Sequence, residues 1–211
     1  SPVVDGGSVF VTSAIEQDGT ILVQCLKTQS GEEVWLRRYS SITYPKNKFN
    51  SYAASTPALD AGHVYVTWAS PKSYLVVALE RARGGEAWRR DLGPFVAQHG
   101  FGGSPIVFDD LVILANEQDG KSCVVALDSK TGKTQWEAPR RSDKAAYSTP
   151  CVYQPEGGPP QLILSSSAHG VSSLDPRSGK ALWELPVFEK RVVGSPSVAA
   201  GLIFAAAGEG G

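Results

Sequence analysis

Short apolar runs separated by polar turns recur along the whole chain. The clearest runs are rich in β-branched and aromatic residues and Leu, and they cover residues 9–12, 64–67, 111–114, 162–164 and 202–204. No stretch of about 11 residues sustains the periodicity of an amphipathic helix. Further apolar runs follow each of the first four, separated by Gly or Asp turns. The pattern therefore predicts an all-β chain with four short strands in each repeated unit.

Two recurring sequence features define the period of the repeat. Four Trp residues each follow a Gly by four positions, and the steps between them are 53, 48 and 47 residues: Trp35, Trp88, Trp136 and Trp183. A Ser-Pro or Thr-Pro pair recurs in the same rhythm, with its Pro at positions 2, 57, 105, 150 and 196. Four-stranded units of roughly 45–50 residues are typical of a β-propeller, with one blade for each unit.

The repeat also sets the domain organisation. We expect one partial β-propeller over residues 1–211, with blades at 1–39, 55–92, 104–138 and 149–185 and a half blade at 195–211. That is about 4.4 blades, so the chain is expected to be part of a seven- or eight-bladed propeller. An open array of sheets exposes apolar faces and edges at both ends. We therefore expect missing blades in a longer parent chain, or a second chain that covers the ends.

Composition removes several classes of function. Lys and Arg number 20 against 21 Asp and Glu, for a net charge of −1. This balance argues against nucleic-acid binding through bulk charge. No apolar run approaches the roughly 18 residues of a membrane span. The three His residues share no metal-ligand spacing, and the odd number of Cys residues lacks a CxxC pair: His63, His99, His169, Cys25, Cys123 and Cys151.

The sequence Glu-Gln-Asp-Gly occurs twice, at residues 16–19 and 117–120, between the second and third runs of a unit. Asp-Gly between two β runs predicts a tight hairpin, because Gly tolerates a positive φ. Calcium binding is the alternative, but a calcium ion takes about six to eight oxygens. One acidic pair in each turn favours the hairpin.

The third unit carries Ala126, Asp128, Thr131, Gly132 and Trp136 at fixed offsets. This arrangement resembles the quinoprotein (PQQ-like) propeller repeat, with its tryptophan-docking motif Ala-x-Asp-x-x-Thr-Gly-x-x-x-Trp. The second and fourth units match well, and the first unit departs at Cys25 and Lys27, so the resemblance covers essentially the whole chain. It implies that the four Trp residues form a structural girdle. We expect the small residue ten positions before each Trp to leave room in a neighbouring blade.

The resemblance implies two kinds of function. One group in the family comprises periplasmic alcohol and sugar dehydrogenases that hold PQQ and calcium in an eight-bladed propeller, with an Asp as base. The other group lacks the cofactor and includes the barrel-assembly lipoprotein of the bacterial outer membrane. We expect a non-catalytic, cofactor-free scaffold in the periplasm or cell envelope that binds a protein or a small ligand. The alternative is a fragment of a PQQ- and calcium-dependent dehydrogenase.

The loops that enter each first strand are the expected location of a ligand or partner at the channel mouth. They cover residues 40–54, 93–103, 139–148 and 186–194, and Asp143 is the only acid in the third loop. Six residues form the predicted rim: Tyr52, Gln98, His99, Phe101, Tyr147 and Arg191. His99 is also a candidate base for a small-ligand binder or a hydrolase-type propeller. An electropositive mouth for an anionic ligand is predicted from the basic residues of these loops: Lys46, Lys48, Arg140, Arg141, Lys144, Lys190 and Arg191.

Overall fold

The computed structural model describes residues 1–141 and 144–208, so Asp143 and the last three residues of the predicted half blade lie outside the described residues. Within these ranges the chain forms eighteen β-strands and no helix. The strands are β1 (Val3–Asp5), β2 (Ser8–Ala14), β3 (Ile21–Lys27), β4 (Glu33–Tyr39), β5 (Ala58–Leu59), β6 (His63–Ala69), β7 (Tyr74–Glu80), β8 (Glu86–Asp91), β9 (Ile106–Phe108), β10 (Leu111–Asn116), β11 (Ser122–Asp128), β12 (Thr134–Arg140), β13 (Cys151–Tyr153), β14 (Gln161–Ser166), β15 (Gly170–Leu174), β16 (Ala181–Leu185), β17 (Ser197–Ala199) and β18 (Leu202–Phe204).

Consecutive strands pair antiparallel into four four-stranded sheets and one two-stranded sheet. Sheet one contains β1–β4, sheet two β5–β8, sheet three β9–β12, sheet four β13–β16 and sheet five β17–β18. The five apolar runs of the sequence lie in the second strand of each sheet. The all-β prediction and the repeated four-stranded unit are therefore confirmed. No helix in the described part of the chain could cross a membrane.

Burial along the strands reflects the position of each sheet in the array. In β3 the buried residues Ile21, Val23 and Cys25 alternate with partly exposed ones, as in a sheet with one packed face. In β6 and β11 nearly every residue is buried. Sheets two and three are therefore packed on both faces, which explains why their strands are apolar without alternation.

Each of the first three repeat Trp residues contacts the next sheet. The indole Nε1 of Trp35 donates to Arg81 O at 2.8 Å, that of Trp88 to Ser129 O at 2.8 Å, and that of Trp136 to Pro176 O at 3.1 Å. All three rings are less than 10% exposed. Burial of an aromatic ring with its polar atom paired stabilises the contact between sheets.

The Gly of the next turn is what each ring packs against. A Cβ at Gly132 would lie 2.6 Å from Trp88 Cε3, and one at Gly179 would lie 2.5 Å from Trp136 Cε3. Both glycines also have a positive φ, near 67–69°. Asp128 closes the turn before Gly132, because its Oδ1 accepts from the backbone and hydroxyl of Thr131. Backbone conformation and ring contact together require Gly at these positions.

The small residue before each Trp lies elsewhere than expected. Ala126 pairs with Trp136 across β11 and β12, and Ala78 pairs with Trp88 in the same way. The small side chain therefore makes room within the sheet of the Trp, and the Gly turn makes room in the neighbouring sheet. A register shift directly follows this pair in all four four-stranded sheets.

Trp183 departs from the predicted girdle. Its side chain is 37% exposed, and its Nε1 donates to Gln161 Oε1 on β14 of its own sheet at 2.8 Å. Among the described residues no Gly turn of a following sheet packs against the ring. The motif in the sequence is the same as in sheet three, but the packing depends on what lies next to it.

The Ser/Thr-Pro pairs link the first strands of neighbouring sheets. Thr56 N donates to Ser104 Oγ at 3.0 Å, and Thr149 N donates to Ser195 Oγ at 2.9 Å. Strand β5 lies beside β9, and β13 lies beside β17. The loops that precede these strands consequently gather at one end of the array.

Candidate functional site

The loops between sheets form a bonded layer at the end where the first strands begin. Asn50 of the first loop links it to the second loop, because its Nδ2 donates to His99 O at 2.8 Å and to Phe101 O at 3.0 Å. Asn47 N adds a bond to His99 O at 3.2 Å. In the third and fourth loops, Tyr147 N donates to Val192 O at 3.1 Å.

Asp119 joins two of these loops through the turn after β10. Its Oδ1 accepts from Ala145 N at 2.7 Å, and its Oδ2 accepts from Gln98 N at 3.0 Å. Both carboxylate oxygens of Asp119 thus accept hydrogen bonds from backbone N–H groups. The predicted hairpin residue therefore also ties the second loop to the third.

These loops enclose a cleft of about 500 Å³. We call it the loop-face cleft, and its lining residues are Asn47, Phe49, Asn50, His99, Gly102, Tyr147, Arg191, Val193 and Gly208. Phe49 is 88% exposed and Val193 is 55% exposed. The cleft therefore combines hydrogen-bonding groups with apolar side chains that are open to solvent.

Four of the six predicted rim residues come together here. Arg191 Nη1 donates to Tyr147 Oη at 3.2 Å, and Arg191 Nη2 donates to Gln98 Oε1, also at 3.2 Å. The guanidinium lies 5.8 Å from the centre of the Tyr147 ring. Burial raises the pKa of Tyr147, against the opposing effect of Arg191, so Tyr147 is a neutral hydrogen-bonding group at pH 7. His99 lines the same cleft.

The structure places the other two, Tyr52 and Phe101, in the core instead of on the rim. Phe101 is 2% exposed and makes edge contacts with the rings of Tyr74 and Phe95 at 4.9 and 5.2 Å. Tyr52 is 8% exposed, and its hydroxyl donates to Tyr44 O at 3.1 Å. An aromatic side chain on a loop is buried where the neighbouring sheet offers an apolar surface, which accounts for both residues.

Three of the seven basic loop residues form ion pairs with carboxylates of the protein itself, which reduces the positive charge predicted for the mouth. Arg140 lies in a buried pair with Glu117, with Nε and Oε1 2.7 Å apart. Arg141 pairs with Glu184, and Lys46 pairs with Glu16 at 3.1 Å. Arg191 differs, because its hydrogen-bond acceptors Tyr147 and Gln98 are both neutral and no carboxylate of the described ranges pairs with it.

The donor set of the loop-face cleft does not fit PQQ with calcium. None of the lining residues that the structure describes is Asp or Glu, whereas calcium takes about six to eight oxygens, with carboxylates prominent among them. In the described part of the chain no three His, Cys, Asp or Glu side chains are grouped as metal ligands would be. The ring of His99 has no hydrogen bond within that part either, whereas a catalytic base is usually oriented by a second group.

Sequence reasoning missed Asn47, Phe49, Asn50 and Val193. Asn50 is the tie between two loops, and Phe49 is the most exposed large apolar side chain. The one signal in the sequence was an aromatic residue between Lys48 and Asn50, which is a polar setting for a ring.

Comparisons with known proteins agree on the fold. The family model described as outer membrane protein assembly factor BamB matches residues 17–211. No protein in the curated collection matches the chain. Among solved structures, BamB from Moraxella catarrhalis is similar over 98% of this chain, with a TM-score of 0.70 and 14% identity.

Two dehydrogenases are also similar in fold. Europium-containing methanol dehydrogenase gives a TM-score of 0.65 at 16% identity over 89% of this chain, and quinohemoprotein alcohol dehydrogenase from Comamonas testosteroni gives 0.63 at 16% over 97%. This chain covers 54% of the BamB structure, 41% of the first dehydrogenase and 38% of the second. It therefore spans about half, or less, of the structures it resembles.

Proposed function

The chain belongs to the family of the outer membrane protein assembly factor BamB, and we propose that it is a non-catalytic, protein-binding scaffold of the cell envelope. Its role is to present the loop-face cleft to a partner protein that takes part in outer membrane protein assembly. The four-stranded sheets supply a rigid frame, and the loops supply the contact surface.

The observation that carries the proposal is the character of the loop-face cleft. Phe49 and Val193 expose apolar surface beside the guanidinium of Arg191. Exposed aromatic side chains next to an Arg are characteristic of the centres of protein interfaces. Contacts between the loops fix the position of these groups, which lowers the entropy lost on binding.

The second candidate is a fragment of a PQQ- and calcium-dependent dehydrogenase. The fold similarity to two dehydrogenases favours it. The described groups that line the loop-face cleft oppose it, because they lack the carboxylates that calcium binding favours. For this chain the second candidate therefore depends on residues outside the cleft.

Photo-crosslinking in cells tests the scaffold role. Phe49 is replaced by p-benzoylphenylalanine in the full chain, and the control carries the same group at Lys130, an exposed residue of the turn between β11 and β12. We expect discrete adducts with an assembly protein at position 49 and none at position 130. Equal adducts at both positions, or none at either, would contradict the proposal. Oxidation of an alcohol after addition of PQQ and calcium would favour the dehydrogenase.

A further inference from the structure

Hydrogen bonds orient the guanidinium of Arg191, and no carboxylate of residues 1–141 and 144–208 forms an ion pair with it. Its two terminal nitrogens donate to Tyr147 Oη and Gln98 Oε1, each at 3.2 Å. Both acceptors are neutral, and among the described residues no Asp or Glu lines the loop-face cleft. Asp119, which holds Gln98, has both carboxylate oxygens occupied by backbone N–H groups. The cleft therefore offers a positive group that no carboxylate of the described residues pairs with directly, and the nearby Asp119 carboxylate acts on Tyr147.

The position of Arg191 is fixed by its neighbours. Tyr147 belongs to the third loop, which is bonded to the fourth loop through Val192 O. Gln98 belongs to the second loop, and its backbone N–H is bonded to Asp119. A Cβ at Gly102 would lie 3.0 Å from Tyr147 Cδ1, so the Tyr ring also packs closely on the second loop. Contacts from both sides thus hold the guanidinium in place before any ligand arrives, which is the condition for strong pairing at low entropic cost.

Apolar surface lies in the same cleft. Phe49 and Val193 both line it and are 88% and 55% exposed. The volume of about 500 Å³ accommodates one or two large side chains. A purely ionic ligand would leave this apolar surface in water, and a purely apolar ligand would leave Arg191 without a charged partner.

We propose that the loop-face cleft binds a peptide segment of a partner protein in which a carboxylate side chain adjoins a large apolar side chain. The carboxylate pairs with Arg191, and the apolar side chain packs against Phe49 and Val193. A guanidinium is suited to a carboxylate because its planar fork makes two parallel hydrogen bonds. This inference rests on the proposed scaffold function and specifies the chemistry of the segment it binds.

Peptide titration followed by NMR tests the inference. The probe is the acetylated and amidated hexapeptide Gly-Ser-Phe-Asp-Ser-Gly, whose only charge is the Asp side chain. It is compared with versions that carry Asn for Asp or Ala for Phe. We expect the probe to shift resonances of the cleft residues, and each change to weaken binding about tenfold. Absence of binding by the probe, or equal binding by the Asn version, would overturn the inference.

Matched variants locate the effect. Arg191→Gln should abolish the preference for Asp over Asn, whereas Arg38→Gln should leave it intact, because Arg38 is exposed and does not line the cleft. Equal behaviour of the two variants would overturn the proposal, as would 3-phenylpropionate binding as tightly as the probe, since the ligand would then be a small carboxylic acid. A crosslink at position 49 without peptide preference would leave the scaffold function standing and remove the carboxylate inference alone.

Discussion

Sheet three contacts sheet two on one face and sheet four on the other. In both contacts a Trp ring packs against a Gly turn, but the side chains in the interior of the two contacts differ. Between sheets two and three, Tyr74, Phe95 and Phe101 form a cluster with ring centres 4.9–5.8 Å apart. Between sheets three and four, Arg140 carries its pair with Glu117 and donates to Ser172 of β15 at 2.8 Å. One contact is thus filled with rings, and the other contains a buried ion pair.

The two contacts should differ in how much stability each loses when a single side chain is replaced. Apolar side chains can shift to fill space, so a ring cluster tolerates replacement by a similar volume. A buried ion is tolerated only while its partner is present, because desolvation of a lone charge costs several kcal/mol. The contact of sheets three and four should therefore be the more sensitive to loss of a single group.

The largest expected effect comes from breaking the buried pair. In Arg140→Met, the Glu117 carboxylate, which is 5% exposed in the parent chain, loses its cation. We expect the free energy of unfolding to fall by about 3–5 kcal/mol, as for other buried pairs that lose one partner. Urea denaturation followed by Trp fluorescence measures it.

Two further variants complete that experiment. The double variant Glu117→Leu, Arg140→Met should regain most of the loss, because no lone charge remains. Phe101→Leu, in the ring cluster, should cost only about 1.5 kcal/mol. If Phe101→Leu cost as much as Arg140→Met, the two contacts would be equally sensitive and the distinction would fail.

A second prediction concerns what the two contacts share. Gly132→Ala and Gly179→Ala each place a methyl group within 2.6 Å of a Trp ring, in addition to the strain of a positive φ. We expect each to cost about 2–4 kcal/mol. Gly31→Ala is the control: its φ is +70°, but nothing lies within 4 Å of the new Cβ. It should cost only about 1 kcal/mol, and thermal unfolding that ranks the three alike would exclude ring contact as the cause.

The repeat explains why the strands and the Trp positions were predictable. The same offsets recur in each unit, so the Gly four residues before a Trp predicts the same kind of turn at positions 84, 132 and 179. Trp183 marks the limit of prediction from the repeat, because its 37% exposure depends on its neighbours and not on its own motif.

The loop-face cleft was only partly predictable because its contacts join residues far apart in sequence. Asn50 meets His99 across 49 positions, and Arg191 meets Gln98 across 93. Whether Phe101 faces solvent or the Tyr74 ring depends on the fold of both loops together. A single sequence specifies which loops converge, but the side-chain pairs across them follow from three-dimensional packing.

The smallest expected effect is a pH dependence of the contact between sheets three and four. His169 is 5% exposed, its Nε2 accepts from Arg141 N at 3.0 Å, and its Nδ1 donates to Glu184 Oε2 at 2.7 Å. Burial lowers the pKa of His169, with Arg140 and Arg141 acting in the same direction against Glu184. Protonation is therefore favoured in the unfolded chain, and stability should be lost as the pH falls below the ordinary His value of about 6.5.

The variant His169→Gln isolates this effect, because an amide can both donate and accept without titrating. We expect the free energy of unfolding to decline less steeply between pH 7 and 5 in the variant than in the parent chain. Glu184 contributes in a lower window: burial opposes its ionisation, but hydrogen bonds from His169 and Arg141 outweigh burial and lower its pKa from 4.5. Its share of stability is thus lost only as the pH falls below that value. Identical slopes in both chains above pH 5 would mean that His169 titrates alike in the folded and unfolded states, and that it makes the contact between sheets three and four no more sensitive to acid.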